Sequence, residues 1–151
     1  MLPINDYFEM AKIIRKNSSY KGGTPVGAVL IDKEGEILST GWNDYPEDMD
    51  RDFLNNLGRK NRSQFALHAE VMTLMKCANL GITANGGEMF ITRYPCFACV
   101  VAMKKAGIRI VHFLNEKDYT ERWGEEYMPI IKGLGIRFIE YDENLNINVV
   151  I

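Results

Sequence analysis

The stretch EMFITRYPCFACVVAMKKAGIRIVHFL, residues 88–114, decides the fold class of this chain. Its first five residues, 88–92, are mostly apolar and predict a buried strand. A helical pattern begins near Pro95, a residue suited to the first turn of a helix, and stops at Gly107. Residues 109–114 then predict another strand. A strand, a helix and a strand in this order are typical of parallel strands joined by a crossover helix.

The rest of the chain extends this pattern on both sides. Helices are predicted over 5–17, 67–80 and 121–132, and further strands over 26–31, 36–40 and 136–141, with 147–151 as a last short strand or docked tail. The first two strands flank a tight turn and form an antiparallel hairpin. We therefore expect an α/β fold with a mixed five-stranded sheet between helices. The polar connection over 41–65 is long, and such loops usually carry function.

Composition and charge exclude several classes of protein. The 151 residues are 46% hydrophobic and 25% charged, as in globular proteins, and suit a single domain over 1–151. No apolar run approaches the ~18 residues of a membrane span, and the N-terminus lacks the features of a signal peptide. A net charge of −2 offers no basic surface to nucleic acid. We expect a cytoplasmic protein without membrane or nucleic-acid partners.

Two short motifs supply three candidate zinc ligands and one carboxylate. They are His68-Ala69-Glu70 and Pro95-Cys96-Phe97-Ala98-Cys99. The predicted helices place each motif in a first turn, where residues three apart share a face and the positive end of the helix favours thiolates. Three protein ligands leave one position for water, as in catalytic zinc sites. Glu70 is then the candidate proton carrier.

Two other interpretations of the cysteines stay open. Cys96 and Cys99 could form a redox pair, although such a pair has no need of the upstream histidine and glutamate. A structural zinc clasp usually has four protein ligands, and no further histidine or cysteine lies where a fourth is expected. The remaining cysteine, Cys77, lies in an apolar pattern and is expected in the core, and His112 is expected in the core or at its edge.

The pattern H-x-E followed by P-C-x-x-C is the signature of zinc-dependent nucleobase deaminases. The chain resembles the cytidine deaminase superfamily over about residues 7–141. Beyond the zinc motifs, the resemblance rests on four segments, 25–30, 40–46, 92–96 and 106–111. The long connection before His68, with Arg59 and Arg62, most resembles the deoxycytidylate (dCMP) deaminases.

The resemblance implies a three-layer α/β/α fold and a hydrolase acting on the C–N bond of a cyclic amidine. Such an enzyme converts dCMP to dUMP with release of ammonia, which feeds dTMP synthesis. His68, Cys96 and Cys99 would hold one catalytic Zn²⁺. Glu70 would take a proton from the activated water and deliver protons to N3 and to the departing amine.

The resemblance also implies contacts with the nucleotide. Asn43 would bind the deoxyribose hydroxyl, although asparagine also suits a simple turn. The backbone amide of Ala69 would face the base. The other candidates are Val26 and Ala28 beside the pyrimidine, Tyr119 near the nucleotide, and Arg59, Arg62 and Arg93 for the phosphate. The basic run 59–62 has a plain alternative interpretation as a solvated loop.

Relatives of this kind are often hexamers that dCTP activates and dTTP inhibits. The resemblance thus implies a homo-oligomer, allosteric effectors and Mg²⁺ accompanying a bound deoxynucleoside triphosphate. Lys21-Gly22-Gly23-Thr24 could approach phosphates through backbone amides, or be an ordinary turn. The alternative functions are deamination of another substrate, such as a nucleoside or adenosine in tRNA, and a non-catalytic zinc-binding module.

Overall fold

One mixed sheet forms the centre of the computed structural model, which describes residues 1–114 and 123–151. Within these residues the strands are β1 (Gly27–Ile31), β2 (Ile37–Trp42), β3 (Glu88–Ile91), β4 (Ile110–Leu114), β5 (Arg137–Tyr141) and β6 (Ile147–Val150). Their order is β2-β1-β3-β4-β5-β6. The pairs β3–β4 and β4–β5 are parallel, and the other neighbours are antiparallel. The strand–helix–strand prediction for residues 88–114 is therefore confirmed.

The sheet has six strands in the described residues, so the prediction of five was wrong. The additional strand is β6, which pairs with β5 through Val150 opposite Ile139. All four residues of β6 are exposed. The four residues are too few, and too exposed, for their hydrophobic pattern to distinguish a strand from a docked tail in the sequence alone.

The helices cover both faces of the sheet. They are α1 (Ile4–Ile14), α2 (Arg51–Asn55), α3 (Arg59–Arg62), α4 (Ala69–Leu80), α5 (Phe97–Ala106) and α6 (Met128–Gly133), with 3₁₀ turns at Arg15–Asn17, Ser63–Phe65 and Glu125–Tyr127. Both α4 and α5 end, as predicted, at a left-handed glycine, Gly81 and Gly107. The described part of the helix predicted over 121–132 is shorter, and the predicted loop over 41–65 contains α2, α3 and a 3₁₀ turn.

Two apolar clusters, one on each face of the sheet, give the expected three layers. On one face, Tyr7, Phe8 and Ala11 of α1 pack against β1 and β3. On the other face, α4 and α5 enclose a larger cluster that includes Cys77 and reaches α6. Cys77 and His112 are buried, as predicted.

A glycine in β2 sets how closely α4 approaches the sheet. A Cβ on Gly41 would lie 2.7 Å from the carbonyl oxygen of Ala69, the first residue of α4. Real Cβ atoms do not approach an oxygen so closely, so only glycine lets the first turn of α4 rest directly on the strand. This contact fixes the beginning of α4, where His68 and Glu70 lie.

Candidate metal centre and active site

The candidate zinc ligands lie at the beginnings of two helices. His68 is the N-cap residue of α4, and Cys96 is the N-cap residue of α5. Neither side chain caps its own helix with a hydrogen bond, so both are available to other partners. Pro95 was predicted in the first turn of α5, but it precedes the N-cap. Each helix thus offers one side chain at its cap and a second, Glu70 or Cys99, in its first turn.

Three donor atoms converge between the two helices. The Nδ1 atom of His68 lies 3.4 Å from Cys96 Sγ and 3.3 Å from Cys99 Sγ, and the two sulfurs lie 3.5 Å apart. Tetrahedral zinc, with ordinary bonds to nitrogen and sulfur, separates such atoms by about 3.6 to 3.8 Å. The donor types and spacing therefore fit a zinc ion with three protein ligands. Among the described residues, no other group of three metal-ligating side chains is found.

The three side chains shift one another's pKa values. Contact with the Cys99 thiol, and then with His68, lowers the pKa of Cys96 to about 4. Contact with Cys96, together with burial, raises the pKa of Cys99, and the Cys96 contact also raises the pKa of His68. A bound cation deprotonates a coordinating thiol outright, so both would be thiolates around zinc.

Glu70 places a buried carboxyl beside these ligands. Its side chain is 4% exposed and lines the same cavity as His68 and Cys96. Burial raises the pKa of Glu70, while the neighbouring thiol of Cys99 and the charge of His68 act in the opposite direction. A carboxyl whose pKa is raised toward neutrality can both accept and return a proton, which suits general acid–base work.

A cavity of about 450 Å³ opens over the metal centre. Its size is typical of sites for small molecules. Five of the predicted substrate contacts line it: Val26, Asn43, Arg59, Ala69 and Arg93. The glycine-bearing loop contributes Gly22, Gly23 and Thr24 to the same wall.

Two further predicted contacts, Ala28 and Arg62, lie elsewhere. Ala28, a residue of β1, is fully buried in the core and does not line the cavity. The guanidinium of Arg62 donates to the backbone oxygens of Lys21 and Leu57, both at 2.9 Å, and is likewise not part of the lining. Tyr119 lies outside the described residues.

Asn43 joins the two segments that enter and leave the hairpin. Its Oδ1 accepts a hydrogen bond from the backbone N–H of Val26 at 2.7 Å, and its Nδ2 donates to the Thr24 oxygen at 3.2 Å. The same side chain lines the cavity. It therefore has the local structural role expected of a turn residue and a position suited to a ligand contact.

Sequence reasoning missed the side chains that hold residues 18–24, here called the 18–24 segment. The buried carboxylate of Asp44 accepts from the N–H and hydroxyl of Ser19. Asn55 accepts from the Lys21 N–H at 3.0 Å and donates to the Ser19 oxygen at 3.0 Å. The connection over 41–67 thus holds one wall of the cavity by side-chain hydrogen bonds. In the sequence, the pair Gly22-Gly23 was the feature that indicated a loop able to approach a ligand here.

Comparison with known proteins places the chain in a family. A family model described as the cytidine and deoxycytidylate deaminase zinc-binding region matches residues 2–115. The chain belongs to this family. Among solved structures, the dCMP deaminase of cyanophage S-TIM5, in complex with dCMP and dUMP, is similar with a TM-score of 0.73 and 26% identity, over 93% of this chain and 98% of that one.

Two curated relatives match over shorter stretches. ComE operon protein 2 of Bacillus subtilis is 31% identical over 78 residues, which cover 51% of this chain and 40% of that protein. A probable deoxycytidylate deaminase of Drosophila melanogaster is 25% identical over 123 residues, 75% of this chain and 60% of that protein. The match thus spans about half the length of these relatives. Across the described residues, no helix combines the length and apolar character needed to cross a bilayer.

Proposed function

We propose that this chain catalyses the hydrolytic deamination of dCMP, in which dCMP and water give dUMP and ammonia. The convergence of His68, Cys96 and Cys99 beside the Glu70 carboxyl carries the proposal. The family supports hydrolysis at an amino-bearing carbon of a base. The similar cyanophage enzyme, which binds dCMP and dUMP, supports the choice of a deoxycytidine nucleotide.

Glu70 has the central chemical role in this proposal. His68, Cys96 and Cys99 would hold a zinc ion, which would supply a Lewis acid that lowers the pKa of a water molecule to about 7. The Glu70 carboxylate would accept a proton from that water and pass it to N3 of cytosine as the water oxygen bonds to C4. It would then take the proton of the new C4 hydroxyl and pass it to the amino group, which leaves C4 as ammonia while the C4 carbonyl forms. Because Glu70 is buried, its carboxyl is kept out of bulk water, and the proton that it accepts returns to the substrate.

The rest of the cavity is proposed to hold the nucleotide. Val26 and the backbone of Ala69 contact the base, and Asn43 contacts the deoxyribose hydroxyl. Arg59 and Arg93 bind the phosphate, because they are the arginines in the cavity lining. Arg62 contributes indirectly, by holding the Lys21 oxygen and with it the 18–24 segment.

Assembly and regulation are part of the same proposal. Exposed apolar side chains on α4 and α5, including Met75, Leu80 and Val101, support a homo-oligomer. Effector binding of dCTP or dTTP with Mg²⁺ rests on the family resemblance alone. An enzyme of free nucleotides is expected in the cytoplasm.

The experiment that tests the proposal combines a metal assay with a substrate panel. The purified chain is analysed for zinc, and ammonia release is measured from dCMP, dCTP, cytidine and adenosine. We expect one zinc per chain and turnover of dCMP at least about tenfold faster than of cytidine, the effect of one or two charged hydrogen bonds to phosphate. Equal rates on cytidine would overturn the phosphate assignment, and zinc without ammonia release would favour a binding module.

A further inference from the structure

A second cavity, of about 290 Å³, lies between α6 and the strands β5 and β6. Most of its wall is apolar and includes Phe113, Trp123, Met128 and Val149. Its volume is at the lower end for small-molecule sites and limits an occupant to about the size of one substituted ring.

One wall of this second cavity carries a buried carboxyl that lacks a full set of partners. Glu140 is 2% exposed, and its Oε2 accepts a hydrogen bond from Asn148 Nδ2 at 2.9 Å. Its Oε1 is also buried and finds no hydrogen-bond partner in the described part of the chain. Burial raises the pKa of Glu140, while the hydrogen bond from Asn148 acts in the opposite direction. Unpaired buried polar atoms are uncommon in native proteins and mark a missing partner.

We propose that this cavity binds a small molecule with one protonated amino group on an apolar or aromatic body. The ammonium would donate to Oε1 of Glu140, the oxygen without a partner, while Oε2 keeps its hydrogen bond from Asn148. The body would pack against Phe113 and Trp123, whose rings also attract a cation. Lys132, exposed at the rim, disfavours a second positive charge on the ligand.

The second cavity is separate from the proposed active site but adjoins the metal centre through one side chain. The Nε1 of Trp123 donates to the Pro95 oxygen at 2.9 Å, and Pro95 directly precedes the metal ligand Cys96. In the sheet, Glu140 of β5 lies opposite Phe113 of β4, and Phe113 lies opposite Ile91 of β3. Ile91 is the last residue of β3, and the chain continues from it into the segment that carries Cys96. A molecule in this cavity would therefore contact the indole that holds the backbone beside Cys96.

The test follows the indole N–H signals of Trp42 and Trp123 by NMR in the full, zinc-loaded chain. The probes are benzylammonium and benzyl alcohol, which match in shape and differ in charge. We expect benzylammonium to shift the Trp123 signal saturably while Trp42 stays in place, and benzyl alcohol to bind at least about tenfold more weakly. Glu140→Gln should weaken benzylammonium binding by a similar factor, and the exposed control Glu143→Gln should leave it unchanged.

Equal binding of the two probes, or no shift with benzylammonium, would overturn the proposal, and the unpaired oxygen would then be satisfied by water. If Glu140→Gln does not fold, the comparison of the two probes on the unaltered protein decides alone. The readout does not depend on turnover. If Trp123 shifts saturably in a protein that fails to deaminate dCMP, the result would support this binding site and exclude only the proposed function.

Discussion

The metal centre and the 18–24 segment bound the same cavity but are held in place by different means. Ala69 and Cys99, in the first turns of α4 and α5, are buried against the core of the sheet. Residues 21–24 of the segment are exposed and depend on hydrogen bonds with the side chains of Asn43, Asn55 and Arg62. The candidate metal ligands are thus held by the packed core, whereas the wall proposed to contact the substrate is held by individual side-chain hydrogen bonds. One residue can alter the wall without moving the metal ligands.

Removal of a candidate metal ligand should have the largest effect on zinc content and on turnover. Cys99→Ser exchanges a thiolate for a poor zinc ligand, so we expect zinc content below about a tenth of one ion per chain and turnover at background. The melting temperature should no longer rise when zinc is added, because the stabilisation comes from binding to the folded state. The matched control, Cys77→Ala, removes the cysteine of the core and should keep its zinc. Full zinc loading of Cys99→Ser would exclude this ligand.

Glu70→Gln separates metal binding from proton transfer. It keeps the shape of the side chain and removes its proton-carrying ability, so kcat should fall by about 10²- to 10⁴-fold. Zinc content should stay at that of the unaltered chain. Glu34→Gln, at an exposed carboxylate, is the matched control. Undiminished deamination by Glu70→Gln would show that another group moves the proton.

Gly22→Ala tests the wall while leaving the metal centre intact. Gly22 has a φ of 85°, and a Cβ there would lie 2.6 Å from a terminal nitrogen of Arg62. We expect a loss of about 1 to 2 kcal/mol in the free energy of unfolding. The KM for dCMP should rise about three- to tenfold with little change in kcat, the result of a displaced binding surface.

The control for this variant is Gly133→Ala. A Cβ on Gly133 has no atom within 4 Å and no positive φ to strain it. Its KM and zinc content should match those of the unaltered chain. If Gly22→Ala lowered zinc content as well, the metal centre and the 18–24 segment would not be independent of each other.

We expect the smallest effect from a change of pH, which alters the stability of the sheet behind both regions through His112. His112 lies between Glu88 and Tyr141, at 2.8 Å from each. Burial lowers its pKa, and Arg109 acts in the same direction, although Glu88 opposes them. We conclude that His112 is neutral, with Nε2–H donating to Glu88 and Nδ1 accepting from the Tyr141 hydroxyl, whose own pKa burial raises to about 12.

The sign of the pH effect follows from this lowered pKa. The unfolded chain binds a proton on this histidine near pH 6.5, whereas the folded chain resists it until a lower pH. Stability is therefore complete above about pH 6.5 and is lost as the pH falls through the folded pKa, by at most about 1.4 kcal/mol per pH unit for one group. Denaturant unfolding between pH 7.5 and 5 measures it. In His112→Gln this slope should shrink, and an unchanged slope would assign it to other groups.

The contrast between the two regions also explains what the sequence could predict. His68 with Glu70, and Cys96 with Cys99, are two and three residues apart, so local helix geometry nearly determines their arrangement. The 18–24 segment depends on partners 19 to 41 residues away, as in Thr24 with Asn43 and Lys21 with Arg62. Such side-chain-to-backbone bonds have no period in the sequence. The charge of Arg62 was visible, but its two carbonyl acceptors were not.

The position of His68 and Cys96 as N-cap residues has a consequence for how the chain folds. An ion shared by His68, Cys96 and Cys99 links positions 28 and 31 residues apart. It thereby closes a loop that contains α4 and β3, much as a disulfide would. Zinc capture would offset the entropy of that closure and secure the first turns of two helices in one step. The same ion would then act as a reversible cross-link in assembly of the sheet, before any substrate is met.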